Sequence, residues 1–209
     1  GNVANPDTFY HYCLAGADYV RIGIGNGGGC LTTVQTGVGY PMASLIYECN
    51  KIKKRNRHLS TKIVADGGFK TYADIIKALA LGADYVMLGS VFNKALESCG
   101  ETTNKGDERI DQYSDFAKEC LNSDIPLYKV FRGMSTKEVQ KSLGKENLKT
   151  SEGVFKRNKV EYTLEGWVDN FTSYLRSAMS YTDKKILPRF IGGVVTNVIS
   201  QNSFKRFDK

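Results

Sequence analysis

The feature that most constrains this chain is a near-repeat: Ala15-Gly-Ala-Asp18-Tyr-Val-Arg-Ile-Gly23 recurs as Leu81-Gly-Ala-Asp84-Tyr-Val-Met-Leu-Gly89. Each copy reads as the end of a helix, a tight glycine turn, a strand of continuous apolar character, and a glycine at the strand's C-terminal end. A third strand, Lys62-Ile-Val-Ala-Asp66, lies between the copies and runs into Gly67-Gly68. The connecting segments 7–14, 42–54 and 72–81 have helical spacing, and in the last of them Ile75, Ile76, Leu79 and Ala80 share one face. Strands alternating with helices in this way predict parallel βαβ units with right-handed crossovers. Parallel strands that all end in glycine loops on one side predict part of a (β/α)8 barrel, in which such loops build the active site.

Only three complete strands precede residue 91, and Gly1-Asn-Val3 reads as the tail of one more. So small a parallel sheet leaves faces and edges uncovered. The expectation is therefore a C-terminal part of a barrel, with the N-terminal strands supplied by a separate polypeptide or a cleaved segment. After residue 100 the order changes. A polar excursion over 101–126 holds one helix near 113–121, 127–135 returns to strand and a glycine turn, and 137–148 is polar and expected to be mobile. Residues 154–162 read as a hairpin turning at Asn158, and 165–179 as a helix with Trp167, Val168, Phe171, Tyr174 and Leu175 at helical spacing; the basic stretch after Lys184 is unassigned.

Composition narrows the function classes. The chain is 41% hydrophobic and 24% charged over 209 residues, an ordinary globular balance. It contains no apolar run of the roughly 18 residues that a membrane span needs, so a soluble, cytoplasmic protein without membrane contact is expected. The five cysteines, at 13, 30, 49, 99 and 120, include no CxxC pair, which argues against a disulfide framework or a zinc site. The net charge of +7 comes from dispersed lysines and arginines rather than a stripe interleaved with aromatics. That pattern reads as a solvated basic surface, with a nucleic-acid face as the minor alternative.

The chemistry concentrates at the end of the first strand. Four of the five residues 25–29 are glycine, and they lead directly to Cys30, Leu31, Thr32 and Thr33 and on to Thr36-Gly-Val-Gly-Tyr-Pro41. A loop of this kind brings backbone N–H groups close to an anion and holds Cys30 near whatever binds there. A free cysteine is more often a small buried hydrophobe. In this loop a nucleophile is the better reading, because converging N–H groups near a helix start lower a thiol's pKa.

In order along the chain, the Cys30 loop with Thr36-Gly-Val-Gly-Tyr-Pro41, Asp66-Gly67-Gly68, Met87-Leu-Gly89-Ser90, Glu97-Ser98, Arg132-Gly133-Met134-Ser135 and Ser151-Glu152-Gly153 resemble the IMP dehydrogenase and GMP reductase family. The resemblance covers most of residues 1–180 and is weakest over 101–125. It implies an α/β fold, a (β/α)8 barrel entered near the end of its fifth strand, and a barrel that forms tetramers. It implies that Cys30 attacks C2 of a purine mononucleotide (GMP or IMP) to give a covalent thioimidate, with hydride transfer to or from a nicotinamide as the other half-reaction. By the same resemblance Thr32 and Glu152 handle protons. Asp66 accepts the ribose hydroxyls, its ordinary alternative being a helix N-cap. Gly68, Gly89 and Ser90 hold the 5′-phosphate, with plain turn geometry as the alternative. Met134, Ser135 and Gly153 contact the base, and the carbonyls of Gly25, Gly27 and Cys30 match a K⁺ site. Gly28 departs from the family, which usually has a phosphate-binding serine there. No residue of this chain is matched to the cofactor, whose contacts are expected from the missing strands. The chain then divides into barrel units with the Cys loop (1–100), a polar insertion (101–126), a flap and nucleotide-contact segment (127–163), and a C-terminal helix with a basic tail (164–209).

Dehydrogenases of this family carry a long flap with an adjacent Arg-Tyr pair that activates water. Between Met134 and Glu152 this chain is short and has no Arg-Tyr. The resemblance is therefore closer to GMP reductase, with NADPH as reductant. IMP dehydrogenase with NAD is the alternative, since Phe131-Arg-Gly-Met134 and Ser177-Ala-Met-Ser-Tyr181 resemble that side. A non-catalytic purine-nucleotide-binding subunit is a third reading, which the intact set of Cys30, Thr32, Asp66 and Glu152 opposes.

Overall fold

The computed structural model describes residues 1–132, 136–144 and 155–204. Its first part consists of α1 (Pro6–Leu14), β1 (Tyr19–Ile22), α2 (Thr32–Thr36), α3 (Met42–Arg55), β2 (Lys62–Asp66), α4 (Tyr72–Leu81) and β3 (Tyr85–Met87). The three strands form one parallel sheet in the order β1-β2-β3, with Val20 opposite Ile63 and Ala65 opposite Val86. Val3 adds a parallel bridge to Ile22 on the outer edge of β1, as expected for the end of a further strand. The fold is α/β, an arc of a barrel.

The near-repeat has a mechanical explanation. Gly16 and Gly82 adopt left-handed φ values of +83° and +118°, which let each helix stop and turn into a strand. Asp84 then accepts from the Ile63 N–H (2.8 Å) and from Lys53 Nζ (2.6 Å), tying α3 and β2 to the start of β3. At the other end of the same unit, Thr71 Oγ1 accepts from Asp74 N and the Asp74 carboxylate accepts from Thr71 N, a reciprocal cap that fixes where α4 begins.

The run read as a strand of continuous apolar character has side chains that alternate between exposed and buried along β1. Val20 and Ile22 point to α1, α3 and α4 and join Phe9, Leu45, Ile46, Ile63 and Ala65 in the main core. Each of the Val, Leu, Ile and Phe side chains among these contributes about 1.5–3 kcal/mol through burial. Tyr19 and Arg21 point to the opposite, concave face. There Tyr19, Tyr85 and Met87 are 61%, 51% and 40% exposed, and the two tyrosine rings lie 5.8 Å apart. This is the face that a closed barrel would fill.

The second part starts with β4 (Thr102–Thr103), β5 (Arg109–Ile110), α5 (Asp115–Asn122), β6 (Tyr128–Arg132), α6 (Lys137–Ser142) and β7 (Phe155–Lys159). The strands form an antiparallel sheet ordered β5-β4-β6-β7 over a small core of Leu96, Ala117, Cys120, Leu127 and Val160. The hairpin expected at Asn158 is not formed. Instead β7 is a single strand paired along the whole of β6, and Asn158 lies opposite Lys129. Its polar sequence suggested a turn, but both faces find partners: Arg157 stacks on the Tyr128 ring at 4.2 Å, and Asn158 donates to Asn93 Oδ1 at 2.6 Å. Within 137–148, residues 137–142 form a capped helix with Gln140 buried, correcting the expectation of a mobile segment for that part; 145–148 lie outside the described residues.

The chain ends on α7 (Leu164–Tyr181), α8 (Leu187–Phe190) and α9 (Gln201–Phe204). Trp167 of α7 stacks on Phe171 (5.4 Å), meets Tyr72 of α4 (5.2 Å), and takes the edge of Phe92 (5.1 Å), so an aromatic cluster clamps α7 to the barrel arc. The stretch after Lys184, unassigned from sequence, is anchored by Phe190 in the groove beside Leu79 and by Lys54 Nζ donating to Gly192 O at 2.6 Å. Among the described residues no helix is long and apolar enough to cross a membrane.

Candidate active site

Cys30 stands at the end of the loop that leaves β1, immediately before α2. The loop's shape depends on a few glycines whose surroundings leave no room for a side chain. Gly25 has φ +77°, and a Cβ there would fall 1.6 Å from Thr33 Oγ1; a Cβ on Gly39 would also strike Thr33. Thr33 is thus packed between the two glycine runs, and its hydroxyl donates to Val38 O at 2.8 Å. Gly67 and Gly68, both at φ +89°, face the same loop from β2, and Cβ atoms on them would lie 2.9 Å from Gly27 N and 3.0 Å from Asn26 O. The β1 and β2 loops therefore stack backbone on backbone.

This stacking brings Gly25, Gly27, Cys30, Thr32 and Asp66 around one cavity of about 320 Å³. The Cys30 thiol donates to Thr32 Oγ1 at 3.2 Å. The Cys30 N–H is engaged with Gly27 O at 3.0 Å, and α2 is a single turn with no side-chain cap. A full helix dipole behind the thiol is therefore not part of the arrangement. Asp66 does not cap α4, because Thr71 does, so the N-cap alternative is excluded. Its carboxylate turns into the cavity, where Asn2 Nδ2 donates to Oδ2 at 2.8 Å and Arg21 Nε lies 3.3 Å away.

Asn2 and Arg21 were not found by sequence reasoning. Asn2 also donates to Gly23 O at 2.7 Å and accepts from Arg21, so it joins the strand preceding α1, the start of the Cys loop, and Asp66. The available signal was an arginine inside an otherwise apolar strand, at a position whose period-2 register sends it away from the core.

Ser90 and Gly28 line a second cavity of about 520 Å³, together with Lys70, Thr71, Lys94 and Lys156. The Cys loop is the wall between the two cavities, with Gly27 on one side and Gly28 on the other. Gly68 and Gly89 line neither; Gly68 packs against Asn26, whereas a Cβ on Gly89 would meet nothing within 4 Å. Met134, Ser135, Glu152 and Gly153 lie outside the described residues. Arg132 and Phe155 are paired across β6 and β7, so the chain leaves towards 134 and returns from 152 at one end of that ladder.

The model of the IMP dehydrogenase / GMP reductase domain matches residues 1–205. The chain belongs to this family. An inosine-5′-monophosphate dehydrogenase of Chlorobaculum parvum is 36% identical over 185 residues, which cover 88% of this chain and 36% of that protein. A GMP reductase of Photobacterium profundum is 33% identical over 183 residues, covering 87% of this chain and 47% of that protein. In structure, a GMP reductase of Trypanosoma brucei solved in complex with guanosine 5′-monophosphate superposes with a TM-score of 0.80 at 25% identity, over 99% of this chain and 39% of that one. The chain thus spans less than half the length of these relatives. The IMP dehydrogenase / GMP reductase family comprises oxidoreductases of purine metabolism that use nicotinamide cofactors, and the barrel architecture read from the glycine-ended strands is the family's own.

Proposed function

We propose that this chain carries the nucleotide half of a GMP reductase site. The observation that carries the reading is the Cys30 thiol at 3.2 Å from the Thr32 hydroxyl, in one cavity with the Asp66 carboxylate. Cys30 as thiolate adds to C2 of GMP, and the 2-amino group leaves as ammonia after taking a proton relayed through Thr32 and Glu152. The C2–N bond breaks as the C2–S bond persists in a thioimidate. NADPH, when bound, supplies hydride to C2. Collapse then expels the Cys30 thiolate and gives IMP. Asp66, held by Asn2 and Arg21, positions the ribose hydroxyls, while Met134, Ser135 and Gly153 are proposed for the base and Gly68, Gly89 and Ser90 for the phosphate. The carbonyls of Gly25, Gly27 and Cys30 are suitable for K⁺; that of Gly27 keeps a lone pair after accepting the Cys30 N–H. A tetramer of completed barrels in the cytoplasm is the proposed assembly, the concave face of Tyr19, Tyr85 and Met87 being covered by the family's remaining strands.

The reductase direction is supported by the short segment between Met134 and Glu152, which lacks an Arg-Tyr pair. IMP dehydrogenase, forming XMP with NAD, is the second reading, favoured by Phe131-Arg-Gly-Met134 and by the dehydrogenase relatives at 36% identity. The test follows the absorbance of the reduced nicotinamide with GMP and NADPH, and in parallel with IMP and NAD⁺, using the chain together with the rest of the barrel. Consumption of NADPH is expected; appearance of NADH with IMP alone would assign the dehydrogenase instead, and silence in both arms would leave the binding subunit.

A further inference from the structure

The larger of the two cavities beside the Cys loop is lined with positive charge. Three lysines from three separate elements line it: Lys70 before α4, Lys94 after β3, and Lys156 on β7. Their charges are not equally available. Lys94 Nζ is bound to Glu161 Oε1 at 2.8 Å, which neutralises that pair. Among the described residues, Lys156 reaches only a backbone carbonyl, Gly28 O at 3.4 Å, and Lys70 has no carboxylate partner. The nearby acid, Asp74, has its carboxylate turned into the helix cap, where it accepts from the Lys70 and Thr71 N–H groups. Among the described residues, two ammonium groups without a carboxylate partner therefore share a cavity with the Ser90 hydroxyl, next to the wall that carries Cys30.

We propose that Lys70 and Lys156 add charge recognition of phosphate beside the Ser90 hydroxyl, matching a nucleotide's phosphate, which carries about two negative charges at neutral pH. Lys156 Nζ touches the backbone of Gly28, a residue of the Cys loop that offers no side chain of its own to the cavity. It brings a positive charge from the antiparallel ladder to the loop. An ammonium on a flexible stem acts as a point charge and needs no fixed geometry, so two such groups complement the directed hydroxyl of Ser90. The same charge count selects a monophosphate over a nucleoside.

This inference rests on the nucleotide reading above, and the experiment separates the two. Titration calorimetry of the full chain measures affinity for GMP and for guanosine, with wild type, Lys70→Gln, Lys156→Gln and the double variant, at low and high salt. Both lysines are solvent-facing, so the variants fold. Each substitution is expected to weaken GMP binding roughly 3- to 10-fold, as for loss of one charge-assisted contact. It should also flatten the salt dependence and leave guanosine unaffected, and Lys156→Arg should restore most of the loss. Wild type that prefers GMP to guanosine, with the double variant unchanged, overturns the lysine assignment and leaves the nucleotide reading intact. Wild type with no preference for GMP overturns both.

Discussion

Five cysteines occupy three kinds of environment, and environment separates them chemically. Cys13, Cys49 and Cys120 are buried among apolar side chains, Cys99 is exposed, and Cys30 is half-buried at the cavity. Burial, with Cys13 and Glu48 adding to it, pushes the Cys49 thiol up to about 12, where no thiolate forms near neutrality. Alkylation of the folded protein at neutral pH, read by peptide mass spectrometry, should therefore mark Cys30 and Cys99 and spare Cys49; prompt labelling of Cys49 would contradict its burial. Cys30→Ala should abolish turnover and retain nucleotide binding in calorimetry. Thr32→Ala is expected to lower kcat roughly a hundredfold or more, within the usual worth of a general acid or base, with a smaller change in KM. The sequence pointed to Cys30 through its glycines, but not to Asn2 and Arg21. Their significance comes from a hydrogen-bond network that joins positions far apart in the chain.

Individual elements depend on caps and aromatic contacts that can be tested one at a time. Burial alone would raise the Asp74 carboxyl, but the N–H groups of Lys70 and Thr71 and the Thr71 hydroxyl hold it below its ordinary value of 3.8. A depressed carboxyl stabilises the fold above its unfolded value, and the contribution is lost as pH falls through the folded value. Chemical denaturation should therefore show wild type ahead of Asp74→Asn at neutral pH, with the gap closing in acid below that value; a gap independent of pH would contradict the cap. Thr71→Ala should cost about 1 kcal/mol, typical of a lost N-cap. Trp167→Ala should cost about 3–5 kcal/mol, because the ring fills a site walled by Tyr72, Phe92 and Phe171. Most elements were legible in the sequence, since α4 and β2 have strong periodicity and glycine stops. The β7 strand was not, because its polar residues are satisfied by partners on β6 and in loops that local spacing cannot reveal.

At the scale of the molecule, the concave face of the arc explains the alternation in β1. Tyr19, Tyr85 and Met87 lie on the side of the sheet that the helices do not cover. Hydroxyl-radical footprinting of the chain alone should oxidise these three residues, and they should be protected once the remaining barrel strands are present; equal labelling in both states would contradict closure on this face. A buried lysine supports the other sheet. Lys129 is fully buried, donates to Ser98 O (2.5 Å) and Gly100 O (3.4 Å) and contacts Gln112, and burial lowers its pKa. By itself the sequence determined the parallel βαβ order, the glycine-ended strands and the cysteine loop, because turn chemistry and periodicity are local and glycine marks the positions where backbone must approach backbone. Only the tertiary structure decided that the β1 and β2 loops stack, that Thr71 rather than Asp66 caps α4, and that three distant lysines meet in one cavity. Those outcomes depend on which loops come together across the sheet, and that is set by packing between segments far apart in the chain.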